Sequence, residues 1–125
     1  MSLTPTVTNT VDLAVLASYE EAQIEGEPDF VVELIDLYLN EVPRIFAALH
    51  TAIENNDRAT AKRAAHSLRG SSNHLGVLQL AALAGELEHL ENPCTSSARE
   101  LFQQLENEFG PVREILTAER RRRLS

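Results

Sequence analysis

Ala64-Ala65-His66-Ser67-Leu68-Arg69-Gly70-Ser71-Ser72-Asn73-His74-Leu75-Gly76 is the stretch on which the reading of this 125-residue chain turns. Wound as a helix at about 100° per residue, it sets Lys62, Arg63, Arg69, Gly70 and Asn73 within roughly 60° of His66. Ala61, Ala64, Leu68, Ser71 and Leu75 fall on the other side. One face is therefore small and aliphatic, fit for burial, and the other carries a histidine among cations. Gly70, one turn from that histidine, is the odd residue. A glycine inside a helix costs about 1 kcal/mol against alanine. The cost has a reason if something large must approach the imidazole closely.

Working outward, Asn55-Asn56-Asp57 reads as a turn that caps this helix, and Gly76 ends it. Upstream, Phe30, Val31, Leu34, Leu37, Tyr38, Val42, Ile45, Leu49 and Ile53 keep a three-to-four spacing from Asp29 to Asn55. That is a long amphipathic helix with Pro43 inside it, where a kink is expected. Before it, Asp12 caps a short helix whose apolar positions include Leu13, Leu16, Ala17 and Ile24, and Gly26-Glu27-Pro28-Asp29 breaks it. Downstream, Val77 to Glu91 places Leu80, Leu83, Ala84, Leu87 and Leu90 on an inner face, and Asn92-Pro93 stops it. Ser96 or Ser97 then caps a last helix, whose stripe of Ala98, Leu101, Phe102, Leu105, Phe109, Val112, Ile115 and Leu116 runs through Gly110-Pro111 as one kinked helix. The prediction is an all-α fold: an antiparallel up-down-up-down four-helix bundle with an additional short N-terminal helix. Residues 1–11 form a lead-in arm, 12–118 the domain, and 119–125 a basic tail.

Composition narrows the classes of function. A net charge of −8 argues against nucleic acid as a partner. Arg120 to Arg123 are read as a solvated helix end whose cations suit the C-terminal dipole. The single Cys94 excludes an internal disulfide. No apolar run approaches the ~20 residues of a membrane span, and no signal-peptide pattern opens the chain, so a cytoplasmic location with no membrane contact is expected. His66 and His74 would stand ~12 Å apart along one helix, too far to share an ion, and His50 and His89 are on other helices. No metal site is expected. Nor is a phosphate-cradling glycine loop, a Cys-x-x-Cys pair or a Ser/His/Asp arrangement readable, so the chain should not bind ATP. What remains is the imidazole of His66, a nucleophile at physiological pH.

At these residues the chain resembles the histidine-containing phosphotransfer (HPt) family, whose motif reads His-x-Leu-Lys-Gly-Ser-Ser/Ala followed by Leu-Gly. Here it stands as His66-Ser67-Leu68-Arg69-Gly70-Ser71-Ser72 with Leu75-Gly76. Arg69 departs from the commoner lysine; it keeps the charge but offers a planar fork. The resemblance spans residues 12–118 and implies the same bundle. It also implies that His66 is the phosphoacceptor, taking a phosphoryl group from the aspartyl phosphate of a response-regulator receiver domain and passing it to another. The chain would then be a covalent carrier, not an enzyme with its own turnover. Any Mg²⁺ would sit on the partner receiver, with no cofactor on this chain.

On that reading a cation one turn away should pair with the phosphoryl oxygens: Arg69, with Lys62 or Arg63 on the upstream turn. Glu88, after Leu87, matches a position where the family commonly carries Glu or Gln, and would fix the other ring nitrogen. Gly70 would leave room for the partner. Leu13, Leu16, Ile24 and Asn73 are candidate docking residues, and Ser71 and Ser72 close-packing residues. The partners expected are receiver domains and a hybrid histidine kinase, with this chain a monomer. Two other readings stay open: a phosphoacceptor module cut from a hybrid or chemotaxis-type histidine kinase, and a helical interaction module whose histidine is unused. A longer parent sequence would favour the first; the costly Gly70 beside His66 speaks against the second.

Overall fold

Four of the five α-helices among the described residues open on a side chain that accepts free N–H groups of their first turn. The structure is a computed structural model that describes residues 10–125. Helix α1 (Leu13–Ser18) starts at Asp12, whose carboxylate accepts the Ala14 N–H, and a 3₁₀ turn (Tyr19–Ala22) follows it. Asp29 accepts from Val31 and Val32 to open α2 (Phe30–Glu54), and Asp57 accepts from Thr60 to open α3 (Arg58–His74). Helix α4 (Leu78–Glu88) has no side-chain cap. Thr95, one residue before the predicted serines, caps α5 (Ser96–Leu124) by accepting from Ala98. Helix α4 ends three residues sooner than predicted, at Glu88, and Ile24 lies beyond α1 rather than on it. Both Pro43 and Pro111 are carried inside unbroken helices. Both are exposed, on the outer side of their helices.

Helix α2 packs on α3, α3 on α4, α4 on α5, and α5 returns to α2, which closes an antiparallel up-down-up-down bundle. The core runs from Val31, Ile35, Tyr38 and Val42 of α2 to Leu105, Phe109, Val112 and Leu116 of α5, with Leu80, Ala84 and Leu87 of α4 between. Ile35 is fully buried, whereas Leu37, placed on the stripe from sequence, is 66% exposed. On α3 the buried positions are Ala61, Ala65, Leu68 and Ser72, and the C-cap Leu75 is buried as well. Ala64 and Ser71 are only half-buried. Relative to the predicted stripe the helix is turned by roughly 40°, at 100° per residue. The turn is fixed in the core: the buried Ser72 hydroxyl lies 2.8 Å from the Tyr38 hydroxyl, in a pair where either can donate. Desolvation pushes the Tyr38 phenol well above its ordinary range, so it stays neutral and fit to donate.

The N-terminal helix is fastened to the C-terminal end of α3. The Asp12 N–H donates to the Gly76 carbonyl at 2.7 Å, and the Tyr19 hydroxyl donates to the His74 carbonyl at 2.8 Å. Gly76 has a φ of +76°, and a Cβ there would stand 2.6 Å from the Asp12 carbonyl oxygen. No other residue fits this crossing. Of the predicted arm, residues 1–9 lie outside the described residues, while Val11 is buried in the core.

The predicted basic tail is the last turn of α5, and it is not merely solvated. Arg120 pairs with Asp36 of α2 at 2.6 Å, and Arg123 bridges Glu119 at 2.8 Å and Glu20 at 2.6 Å. The side chain of Arg123 is only 11% exposed. Among the described residues, no helix is long and apolar enough to cross a membrane.

Candidate functional site

The rotation of α3 decides where each polar residue of its outer face goes. His66 stays outward, its side chain 65% exposed. Lys62 and Arg69 lean over α4, while Arg63 and Gly70 remain on the open side. The His66 ring sets Nδ1 2.7 Å from Oε2 of Glu88, the last residue of α4. An ionised carboxylate can only accept, so Nδ1 carries the hydrogen and donates. That tautomer leaves the lone pair on Nε2, at the opposite edge of the ring and away from Glu88.

Glu88 is held from three directions. Its Oε1 lies 2.8 Å from Arg69 Nε, an ion pair set off the ideal hydrogen-bond line. The terminal Nη2 of Arg69 is 3.3 Å from His66 Nδ1. Because Nδ1 already donates to Glu88, this is proximity of charge rather than a second hydrogen bond. Lys62 Nζ donates to the Glu88 carbonyl at 3.0 Å and to the Leu90 carbonyl at 2.7 Å, placing a cation on the C-terminal end of α4. Burial alone would push the Glu88 carboxyl up. The hydrogen bond from His66 and the charge of Arg69 outweigh it and hold the group below the usual carboxylate range. At neutral pH the acceptor is therefore ionised.

The structure thus brings His66, Arg69, Glu88 and Lys62 together, but with different roles from those predicted for the cations. Lys62 holds backbone carbonyls and is not a free cation beside the imidazole. Arg63 donates to its neighbour Thr60 Oγ1 at 3.3 Å, one turn upstream. Arg69 is engaged by Glu88 on the Nδ1 side of the ring. Gly70 is exposed, and a Cβ built there would meet nothing within 4 Å, so open space adjoins the histidine. Among the docking candidates, Leu16 is excluded: it is 1% exposed and belongs to the core, since α1 packs by that face. Leu13 is 46% exposed and Ile24 67% exposed; Asn73 is exposed as well.

Sequence reasoning passed over Leu78, exposed at the start of α4, two residues after Gly76. It also missed Gly85, over which the Arg69 stem passes, while Ser71, read as a close-packing residue, is half-buried and donates its hydroxyl to Glu41 Oε1 at 2.9 Å, tying α3 to α2. Among the described residues, no group of three or more His, Cys, Asp or Glu side chains is placed to hold a metal ion.

The bundle thus displays His66 backed by a carboxylate on the facing helix and beside a bare glycine. The Hpt domain family model matches residues 33–115, and the chain belongs to that family. It is similar to the phosphorelay intermediate protein rdeA of Dictyostelium discoideum, 29% identical over 114 residues. That alignment covers 90% of this chain and 43% of the relative, so the chain spans less than half of the relative's length. Its fold matches the crystal structure of histidine-containing phosphotransfer protein B (HptB) from Pseudomonas aeruginosa PAO1 with a TM-score of 0.82 at 31% identity. There 90% of this chain and 96% of the other are covered.

Proposed function

We propose that this chain is a phosphorelay intermediate of two-component signalling in which His66 Nε2 carries the phosphoryl group. The carrying observation is the 2.7 Å contact of Glu88 with Nδ1, which assigns the lone pair to Nε2 on an open surface. In the forward step the Nε2 lone pair attacks the phosphorus of an aspartyl phosphate on a receiver domain. An N–P bond forms, the acyl P–O bond breaks, and the aspartate leaves as a carboxylate. No proton moves. The ring becomes an N-phosphorylated imidazolium whose positive charge is opposed by the Glu88 carboxylate, and the reverse step restores the neutral ring.

Catalysis on this side is positioning and charge compensation. The chain has no part in cleaving ATP, so it is a carrier rather than a kinase. A Mg²⁺ ion held by the receiver would neutralise the transferring oxygens. The receiver is proposed to cover Leu13, Ile24, Leu78 and Asn73 with the open face beside Gly70. The chain is proposed to act in the cytoplasm as a monomer.

The test incubates the purified chain with a labelled phospho-receiver domain and Mg²⁺. Label that is acid-labile, alkali-stable and absent from His66→Gln supports the reading. Label retained by a folded His66→Gln variant would overturn it.

A further inference from the structure

One residue of α4 is costly where it stands. Gly85 sits one turn before Glu88 in a helix that is otherwise rich in leucine and alanine. Its φ is not positive, so its backbone conformation is open to any residue. Glycine is the poorest helix former after proline. What lies against its open face is a single group: a Cβ built on Gly85 would stand 3.2 Å from Cδ of Arg69. Gly70 and Gly110, also inside helices, would meet nothing within 4 Å.

The length and shape of arginine explain why this contact falls where it does. Arg69 crosses from α3 to α4 and must lie flat on α4 to bring Nε to within 2.8 Å of Glu88 Oε1. A lysine at that position would reach with a flexible stem and a terminal point charge; an arginine presents a rigid plane that begins at Nε. The stem leaves room under Cδ for no more than a methyl group, one turn before the carboxylate it meets.

We propose that Gly85 is a positioning residue for phosphoryl transfer: it is the slot through which Arg69 reaches Glu88, and so it acts on His66 through two intermediaries. This rests on the phosphotransfer reading of His66. A methyl group in the slot asks Cδ to move by a few tenths of an ångström, which a flexible stem can do, so Gly85→Ala is nearly silent. A longer side chain fills the slot, and Arg69 then loses Glu88.

The experiment is a double-mutant cycle between Gly85→Gln and Arg69→Ala, read in two ways. The first is the rate of phosphoryl acceptance from a phospho-receiver. The second is the pair of ¹⁵N shifts of the His66 ring, which report the tautomer with no phosphoryl group present. Gly85→Gln is expected to keep its helical circular dichroism, slow acceptance by about fivefold, the size of one partly exposed ion pair, and shift the ring nitrogens as Arg69→Ala does. The two together should be no worse than either alone.

Additive losses, or wild-type rates and ring shifts in Gly85→Gln, would overturn the proposal. If the unmodified chain accepts no phosphoryl group, the functional reading fails. The ring shifts still decide whether Gly85 sets the Arg69–Glu88–His66 arrangement.

Discussion

Replacing Glu88 by alanine tests the centre of the mechanism, because it removes the acceptor that assigns the lone pair of His66 to Nε2. A hydrogen bond to a charged group is worth about 1.5–3 kcal/mol, against about 0.5–1.5 kcal/mol for a neutral one. The side chain of Glu88 is 20% exposed and that of His66 65% exposed, so solvent screening favours the lower part of that range. We take about 1.5–2 kcal/mol for the support that the carboxylate gives to the phospho-imidazolium, which converts to a loss of roughly 10–30-fold in rate. Glu88→Gln keeps an acceptor of the same shape without the charge, and should lose about fivefold, the difference between a charged and a neutral bond. The assay is single-turnover acceptance of labelled phosphate from a receiver domain held in excess, with circular dichroism as the check on folding. Alanine and glutamine should rank in that order. A folded Glu88→Ala that accepts at the wild-type rate would refute the reasoning, since the Nδ1 contact would then have no bearing on transfer.

Gly70→Gln adds a side chain to open space, so thermal unfolding should shift up slightly, by the ~1 kcal/mol of helix propensity at most; receiver-dependent transfer should fall at the same time, and an unchanged rate would remove Gly70 from the docking face. Tyr38→Phe leaves the Ser72 hydroxyl without its core partner. The loss should be about 1 kcal/mol, the low end for an orphaned buried group because Ser72 can turn back to its own helix, and Ser72→Ala in the same chain should recover most of it in denaturant unfolding. Arg123→Ala should speed hydrogen exchange in α1 more than in α3, since Arg123 ties the last turn of α5 to Glu20 just after α1. The Glu119 carboxyl beside it is held low by the Arg122 hydrogen bond, with burial opposing and Arg123 assisting. Its folded pKa lies below its unfolded one, so its stabilising effect is complete above the ordinary glutamate range and is lost as pH falls through the folded value. Acid titrations of unfolding should therefore be flatter in Arg123→Ala.

Local signals in the sequence were legible where one residue acts on its own neighbours. Asp12 and Asp57 each cap the helix that follows by accepting N–H groups two or three residues on, and that needs no tertiary information; Asp29, read only as part of the break before α2, does the same. The long stripes of α2 and α5 were readable for the same reason, down to their passage through Pro43 and Pro111. Register between helices was not. Ala64-Ala65 and Ser71-Ser72 offer two stripes of nearly equal polarity, and the choice between them is made by Tyr38, more than thirty residues away. Likewise Leu34-Ile35 and Leu37 fit neighbouring arcs of α2, and only packing buries Ile35. The arginines of the last turn read as solvated because Asp36 and Glu20, their partners, are 84 and 103 residues distant. Glu88 was legible through family resemblance alone, since nothing in Glu86-Leu87-Glu88 marks one glutamate over the other.

The site depends on a rotation set in the core. Turning α3 by roughly 40° from the simplest stripe, at 100° per residue, carries Lys62 and Arg69 over α4 and leaves Gly70 and Arg63 to solvent. That single adjustment separates two tasks that the sequence places on one face. The side toward α4 fixes the tautomer and holds a negative charge against the ring; the side away from it stays bare for a partner. Had Ala64 and Ser71 been buried instead, Arg69 would have moved away from Glu88, and Nδ1 would have lost the neighbour that makes Nε2 the nucleophile. The Tyr38–Ser72 pair, remote from the chemistry, therefore bears on the phosphoacceptor through the angle of the helix that carries it.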